Sequence, residues 1–378
     1  MKGEGLLWSP GLGVLMRMEI EEKIKSLRQR IETLDGKMLD LLNERAEIAM
    51  QVGKEKSEGR MDSHDPQREG EILRALVLRN NGPFPKQAIA PVFREIISAC
   101  RSLEAEIVVA YLGPSATHTH LACFEYFGSS VQTQPKESIQ EVFEAVEKRK
   151  ATYGVVPIEN STEGSVNQTL DRLVDSEVMI CGEVMIHVSH HLLSLSGKAE
   201  DIRKITSHPS ALEQCRKWLR KNFPQIEVAE TASTARAAEM ATESPETAAI
   251  ASSLAAHLYG LKVVESQIED YLNNYTRFLV IGLQANPRTG RDKTSVLFSI
   301  SHAPGSLYQA LKPFSEKGIN LTKIESRPMK GKPWEYIFFV DIEGHATDPR
   351  VREVMAELEQ NALFLKLLGS YPQRSLEK

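Results

Sequence analysis

Arg45 and Lys56 stand eleven residues apart in a segment rich in charge and in regularly spaced apolar residues. On a helix, at ~100° per residue, that spacing sets both cations within about 20° on one face and roughly 16 Å apart along the axis. Two long cationic side chains so placed can converge on one small ligand between them. Arg28 precedes Arg45 by seventeen residues. It would lie about 25 Å away along the same helix, turned to a different side. Were Arg28 to serve the same ligand, the economical solution would be a two-fold dimer in which it reaches the site of a second copy. A lone Arg or Lys in such a segment reads as a solvated helix face; the joint spacing is what favours a site. His118-x-His120 and His187-x-x-His190-His191 offer nitrogen ligands, but no clustered Cys or carboxylate completes a sphere, so no metal is expected. Cys100, Cys123, Cys181 and Cys215 form no C-x-x-C pair and read as reduced thiols of a reducing compartment.

The elements that must position these groups begin with helices. Ile20, Ile24, Leu27, Ile31, Leu34, Met38, Leu41, Ile48 and Val52 draw one apolar stripe along a single helix, which Gly53 and Gly59 weaken near its end. Asp65-Pro66 reads as the cap and first turn of a second helix, ended by Asn80-Asn81-Gly82-Pro83. A third runs from about Lys86 to Glu104. The period changes at Ile107, where a β-branched run ends in Gly113-Pro114 as a strand entering a loop. From there to about Gly282, strands such as 153–158 and 178–188 alternate with helical stretches such as 211–222, an α/β pattern. Polar residues 285–293 make a linker. Strand 295–301, helix 305–317, strand 319–326, strand 334–343, helix 348–361 and strand 364–370 then follow the ferredoxin-like βαββαβ order.

A chain of 378 residues exceeds what one core usually supports. The expected divisions are a disordered tail 1–17, or a true start at Met16 or Met18, then domains 18–105, 106–284 and 294–372. Leu6 to Met16 is broken by Ser9, Pro10, Gly11 and Gly13 and lacks a cleavage site, so no signal peptide is expected. No 18-residue apolar run suggests a membrane span. A net charge of −5 gives no general reason to expect nucleic acid or an anionic membrane as partner. The expectation is a cytoplasmic protein that gathers any positive charge locally.

Three runs carry a specific likeness. Val155-Val156-Pro157-Ile158-Glu159-Asn160-Ser161-Thr162-Glu163-Gly164, then Ser207-His208-Pro209 with Gln214-Cys215, then Tyr275-Thr276-Arg277-Phe278 resemble the prephenate dehydratase motifs in order. Glu325-Ser326-Arg327-Pro328 resembles the phenylalanine-binding motif of that family's ACT regulatory domain. The first hundred residues resemble the all-helical chorismate mutase fused to the dehydratase in many bacteria, and the likeness covers about 18 to 370. The fold it implies is multidomain: an all-α chorismate mutase domain, an α/β two-lobed (periplasmic-binding-protein-like) dehydratase domain and an α+β ferredoxin-like ACT domain. It implies a bifunctional enzyme of phenylalanine biosynthesis that turns chorismate into prephenate and prephenate into phenylpyruvate. The same likeness implies no cofactor, inhibition by L-phenylalanine, and a homodimer or dimer of dimers.

Chorismate rearranges without covalent help, so the protein must hold a compact conformer and stabilise charge on the ether oxygen. The positions matching the family pattern are Arg28, Arg45, Lys56, Asp65, Glu69 and Glu104. Glu69 would accept the substrate's hydroxyl hydrogen, and Asp65 reads equally as a helix cap. Glu104 stands where the family carries Gln or Glu and donates to the ether oxygen only when protonated. Mutase activity should therefore fall with rising pH, and Glu104→Gln should flatten the profile.

Prephenate loses carbon dioxide and its ring hydroxyl together, which needs a poorly solvated carboxylate and a donor to the leaving hydroxyl. The family implies Thr276 as that donor. Arg277 is the choice for a bidentate carboxylate clamp. Thr117, Asn160, Ser161, Thr162, Ser207 and Gln214 would supply neutral contacts, and Glu159 would orient them or share a proton. Asn160 also reads as a turn former, Gln214 as an exposed helix residue, His208 as loop structure and Cys215 as a small buried residue. The opening loop usually reads Gly-Pro-x-Gly-Thr-aromatic; here it is Gly113-Pro114-Ser115-Ala116-Thr117-His118. Ala116 restricts positive φ, which puts loop shape and substrate affinity in question.

In paired ACT domains the amino acid would lie between a helix-start loop, with His302, Gly305, Ser306 and Leu307, and the strand with Glu325, Ser326 and Arg327. Gly305 would let backbone amides approach the ligand carboxylate. A prephenate dehydrogenase is disfavoured because no G-x-G-x-x-G follows a strand. A non-catalytic small-molecule sensor is disfavoured by the intact Thr276-Arg277-Phe278, Asn160 and Gln214. Prephenate and its aminated relative arogenate stay open as substrates.

Overall fold

The computed structural model describes residues 10–59, 65–328 and 336–373. The chain divides into two compact units, residues 1–64 with 99–105 and residues 65–98 with 106–378.

In the first unit, α1 runs from Pro10 to Glu58. The expected disordered tail is corrected from residue 10 onward, since a proline with preset φ can open a helix and its missing N–H is needed by nothing; residues 1–9 lie outside the described residues. The apolar stripe from Ile20 to Val52 lies exposed along α1. Gly53 does not end the helix. A Cβ there would come 2.7 Å from the Glu104 Cα, so the bare backbone admits Glu104 against α1.

In the second unit, Asp65 caps α2 (Pro66–Arg79), its Oδ1 accepting from Arg68 N at 2.9 Å with Pro66 in the first turn. The third helix, α3, spans Lys86–Glu104 and ends in the first unit.

Eleven strands build residues 106–284: β1 (Val108–Leu112), β2 (Gln132–Lys136), β3 (Tyr153–Asn160), β4 (Gly164–Ser165), β5 (Met179–His187), β6 (His191–Ser194), β7 (Lys204–Ser207), β8 (Glu227–Glu230), β9 (Thr247–Ala251), β10 (Lys262–Glu265) and β11 (Tyr275–Gly282). They form two sheets and hence two lobes. One has the order β2-β1-β3-β11-β5 with β4 beside β3, the other β10-β6-β9-β7-β8. The chain crosses between lobes twice, from β5 to β6 and from β10 to β11, and these crossovers flank the residues of chemical interest.

The helix expected over 211–222 is two helices, Pro209–Gln214 and Arg216–Asn222, meeting at Cys215. The second crossover explains the break. Asp270 accepts from Lys217 N at 2.8 Å and Trp218 N at 3.1 Å, capping the second helix, while its own amide donates to Gln214 O at 2.7 Å.

The C-terminal strands are β12 (Asp292–Ser299), β13 (Leu321–Pro328), β14 (Tyr336–Glu343) and β15 (Phe364–Pro372), with helices Ser306–Glu316 and Pro349–Asn361 between them. Their antiparallel order β13-β14-β12-β15 is the ferredoxin-like one. One sheet face packs on its helices through Val296, Phe298, Phe314 and Val354. The other, through Leu297, Phe339, Leu368 and Tyr371, shares a core with Ile158, Leu173 and Leu279 of the first lobe. Gly369, at φ 149°, lets β15 approach β5: a Cβ would stand 2.3 Å from Ile180 O. No helix among the described residues is long and apolar enough to cross a membrane.

Candidate active site

Thr276 lies directly opposite Asn160 where β11 runs antiparallel to β3. Thr162 N and Glu163 N donate to Asn160 Oδ1 at 2.8 and 3.0 Å. Backbone amides can only donate, so the other terminal atom of Asn160 is its nitrogen. That Nδ2 donates to Thr276 Oγ1 at 2.8 Å and to Asn274 Oδ1 at 3.0 Å. Thr276 accepts from Asn160 and keeps its own hydroxyl hydrogen for a ligand. Asn274 Nδ2 donates in turn to Gln214 Oε1 at 3.1 Å, and Ser161 Oγ accepts from Tyr275 N at 2.9 Å. The structure thus joins Asn160, Ser161, Gln214 and Thr276 from both lobes in one polar set.

Two members of that set were not expected from sequence. Asn274 stands immediately before the Tyr275–Phe278 run, which was the available signal. His190, weighed only as a metal ligand, lies in the first crossover with Nε2 at 2.8 Å from Gln214 Oε1. Its ring meets His118 edge-on at 5.8 Å between centroids. Burial, and then the neighbouring His190, push the His118 imidazole down to about 4, and burial also lowers His190.

Arg277 is not in this set. Successive strand residues face opposite sides, and the Arg277 side chain is buried on the other face of β11. Its guanidinium meets Glu183 Oε2 at 2.8 Å, Asp341 Oδ2 at 2.7 Å and Tyr371 Oη at 3.0 Å. Lys293 Nζ joins the same Glu183 at 2.8 Å. Every branch of the guanidinium is held, so the clamp expectation is corrected. Desolvation opposes its charge, but Tyr371, Asp341 and Glu183 outweigh it and raise its pKa.

Other placements also differ from expectation. Glu159 turns to Lys323 Nζ, 2.7 Å from its Oε2, and does not orient the amide donors. Ser207 is fully buried with Oγ donating to Ile250 O at 2.6 Å, so β9 uses its hydroxyl. Thr117 caps the helix His118–Phe127, accepting from His120 N and donating to Pro114 O at 3.1 Å. Thr162 is exposed and enters through its backbone amide. His208 caps the helix at Pro209. Ala116 keeps the left-handed backbone, φ 68°, that a glycine would favour. Its amide donates to His120 Nδ1 at 3.1 Å and its carbonyl accepts from Ser252 Oγ at 2.9 Å, which holds a conformation alanine resists.

In the first unit, Lys56 Nζ lies 3.1 Å from Glu104 Oε2, with side chains 23% and 13% exposed, and Arg28 and Arg45 sit on the same continuous helix. Asp65 acts as the cap of α2, and Glu69 lies in that helix's first turn; both belong to the second unit.

Sequence profiles of three families match along the chain: chorismate mutase type II over residues 27–105, prephenate dehydratase over 109–286 and the ACT domain over 294–360. An Aquifex aeolicus protein described as bifunctional chorismate mutase/prephenate dehydratase is 48% identical over 361 residues, covering 94% of this chain and all of the relative. The chain belongs to the bifunctional chorismate mutase/prephenate dehydratase family. A Pseudomonas aeruginosa protein of the same description is 42% identical over 365 residues, covering 95% of this chain and 100% of that one. Among solved structures, a prephenate dehydratase from Arthrobacter aurescens in complex with L-phenylalanine is 34% identical with a TM-score of 0.65, covering 71% of this chain and 90% of that chain.

Within the ACT domain, β13 is an edge strand whose alternate residues face the dehydratase lobe. Besides Lys323, Glu325 Oε2 accepts from Ser165 Oγ at 2.8 Å, and Arg327 pairs with Asp171 Oδ1 at 2.8 Å and donates to Asn167 O at 2.6 Å. Glu325 and Arg327 are thus engaged by dehydratase residues rather than by the His302–Leu307 loop, and Ser326 is exposed on the other side. Gly305, at φ 83°, opens the helix Ser306–Glu316 with no side-chain cap; His302 is exposed and Leu307 packs on the ACT core.

Proposed function

We propose that this enzyme rearranges chorismate to prephenate, then decarboxylates and dehydrates prephenate to phenylpyruvate at the Thr276 cleft, under control by L-phenylalanine. The observation that carries the second step is the bond from Asn160 Nδ2 to Thr276 Oγ1, which leaves the Thr276 hydrogen for the ring hydroxyl. As the C–CO2 bond breaks, its electron pair enters the ring and the C–O bond opposite breaks. Thr276 stabilises the departing hydroxide by hydrogen bonding, and a solvent proton completes the water. A cation on the departing carboxylate would stabilise the ground state more than the transition state. A cleft of neutral amides, with Arg277 turned away, suits the reaction better than the clamp would.

In the mutase unit, Lys56 and Arg45 would hold the dianion with Glu104 at the ether oxygen, and Arg28 would come from a second copy. The exposed stripe of α1, including Ile24, Leu27, Ile31 and Leu34, supports that pairing, since burying it removes apolar surface from water. The assembly is a homodimer or a dimer of dimers. Phenylalanine would bind at the Gly305 helix start and the β13 strand, and its carboxylate suits uncapped backbone amides. Four buried free cysteines accord with a reducing, cytoplasmic setting.

An ultraviolet assay with chorismate, following phenylpyruvate with and without phenylalanine, tests the whole reading. Phenylpyruvate formation suppressed by phenylalanine is expected. Accumulating prephenate would sink the dehydratase part, and untouched chorismate with added prephenate consumed would sink the mutase part.

A further inference from the structure

Hydrogen-bond polarity, anchored on two backbone amides, runs from the Asn160 turn to a histidine in the crossover between the lobes. Thr162 N and Glu163 N make Asn160 Oδ1 an acceptor, so Asn160 Nδ2 donates to Asn274 Oδ1 and Asn274 Nδ2 donates to Gln214 Oε1. Gln214 Oε1 is an acceptor, and His190 Nε2 at 2.8 Å can bond to it only as N–H. That assigns the tautomer: hydrogen on Nε2, a bare lone pair on Nδ1. The Nδ1 atom is buried with no hydrogen-bond partner among the described residues, so nothing there would receive a second hydrogen. The backbone of this segment is pinned, His190 N donating to Glu269 Oε2 at 2.8 Å and Ser189 Oγ to Glu269 Oε1 at 3.2 Å.

A glutamine amide has two nearly equivalent flips. With two N–H donors aimed at one end, the flipped amide would set its nitrogen against both, and only one orientation survives. We propose that His190, neutral and protonated on Nε2, is a positioning residue of prephenate dehydration that locks the Gln214 amide with its nitrogen free for substrate. The proposal rests on the dehydratase reading above.

The full chain, His190→Phe and His190→Gln are compared for kcat and KM on prephenate, turnover of chorismate, and Tm. In His190→Phe, kcat should fall by about tenfold or more, as expected for a mispositioned group, with a smaller change in KM. Chorismate turnover should hold because His190 lies outside the mutase unit. Tm should hold because the phenyl ring keeps the packing volume and Gln214 Oε1 keeps the Asn274 Nδ2 donor when the histidine donor is lost. His190→Gln, with an amide donor of similar reach, should recover most of kcat. In long-range proton–nitrogen spectra of histidine-labelled enzyme, the His190 signal, identified by its loss in the variants, should show hydrogen on Nε2 near neutral pH. Full kcat in His190→Phe, a Tm that falls together with kcat in both variants, or hydrogen on Nδ1 would overturn the proposal. Absence of prephenate turnover in the unmodified chain would instead sink the dehydratase reading, and the positioning role with it.

Discussion

Asn160 governs what Thr276 can offer a substrate, because an amide has one donating end and one accepting end. Asn160→Asp replaces the donor by a second acceptor of nearly the same shape. The Thr276 hydrogen would then turn to the carboxylate, and the leaving hydroxyl would lose its donor. We expect kcat on prephenate to fall by about 10²- to 10³-fold, the usual effect of losing one preorganised donor. Asn160→Ala should fall less, since Thr276 stays free to donate. Steady-state kinetics decide it, and an aspartate variant as active as the alanine one would contradict the assigned polarity. His118 lends the same region a pH dependence. Its Nε2 is buried without a hydrogen-bond partner among the described residues, although the residue keeps some surface, and His190, His191, His187 and the Ser189 backbone face it. The unfolded chain takes up its proton below the ordinary value of 6.5, whereas the folded one resists until about 4. Stability is therefore full above 6.5 and lost as pH falls toward 4. Integrated over that shift, roughly 2 kcal/mol should disappear between about pH 7 and about pH 5. His118→Phe should remove about that much of the pH dependence in urea melts; an unchanged dependence would mean His118 ionises normally.

At the scale of elements, periodicity made most of the fold legible. The change of period at Ile107 and the βαββαβ order appear in the structure because each reflects one face buried on a regular backbone, and the stripe marks one continuous helix, α1, on which its residues lie exposed. The site residue types were equally legible. Their directions were not: Thr276 and Arg277 are sequence neighbours on a strand, and alternation sends one to the polar set of Asn160 and the other to the ACT side. That alternation was available in principle, whereas the β3–β11 register that confirms it depends on a pairing 116 residues apart. The break at Cys215 had no local signal, because its cause, Asp270, lies 55 positions further along the chain. Asp270→Ala should remove two capping bonds and cost about 1–2 kcal/mol. The same substitution should loosen Gln214 and raise KM for prephenate with chorismate turnover intact. Thermal melts and both assays together check this, and a destabilised variant with unchanged prephenate kinetics would show that the cap does not position Gln214.

Over the whole second unit, the dehydratase lobe and the ACT sheet are joined by charge as well as by apolar packing. The face of β13 toward the lobe carries Lys323, Glu325 and Arg327, tied to Glu159, Ser165 and Asp171. Deeper in, Arg277 sits among Glu183, Asp341 and Tyr371, while Lys293 neutralises part of Glu183. Removing a cation from such a group strands buried carboxylates, which typically costs about 3–5 kcal/mol. Arg277→Met keeps much of the apolar stem, so the loss should report charge rather than a cavity. The two roles weighed for this residue now predict different kinetics. A substrate clamp would leave Tm nearly unchanged and raise KM for prephenate steeply. A buried strut should lower Tm by several degrees while KM, measured well below the new Tm, stays close to that of the unmodified enzyme. Adding Asp341→Asn to Arg277→Met should restore part of the lost stability, because one stranded charge is then removed; no clamp reading has a reason for that recovery. Calorimetry on the single and double variants, with prephenate kinetics at low temperature, separates the two outcomes.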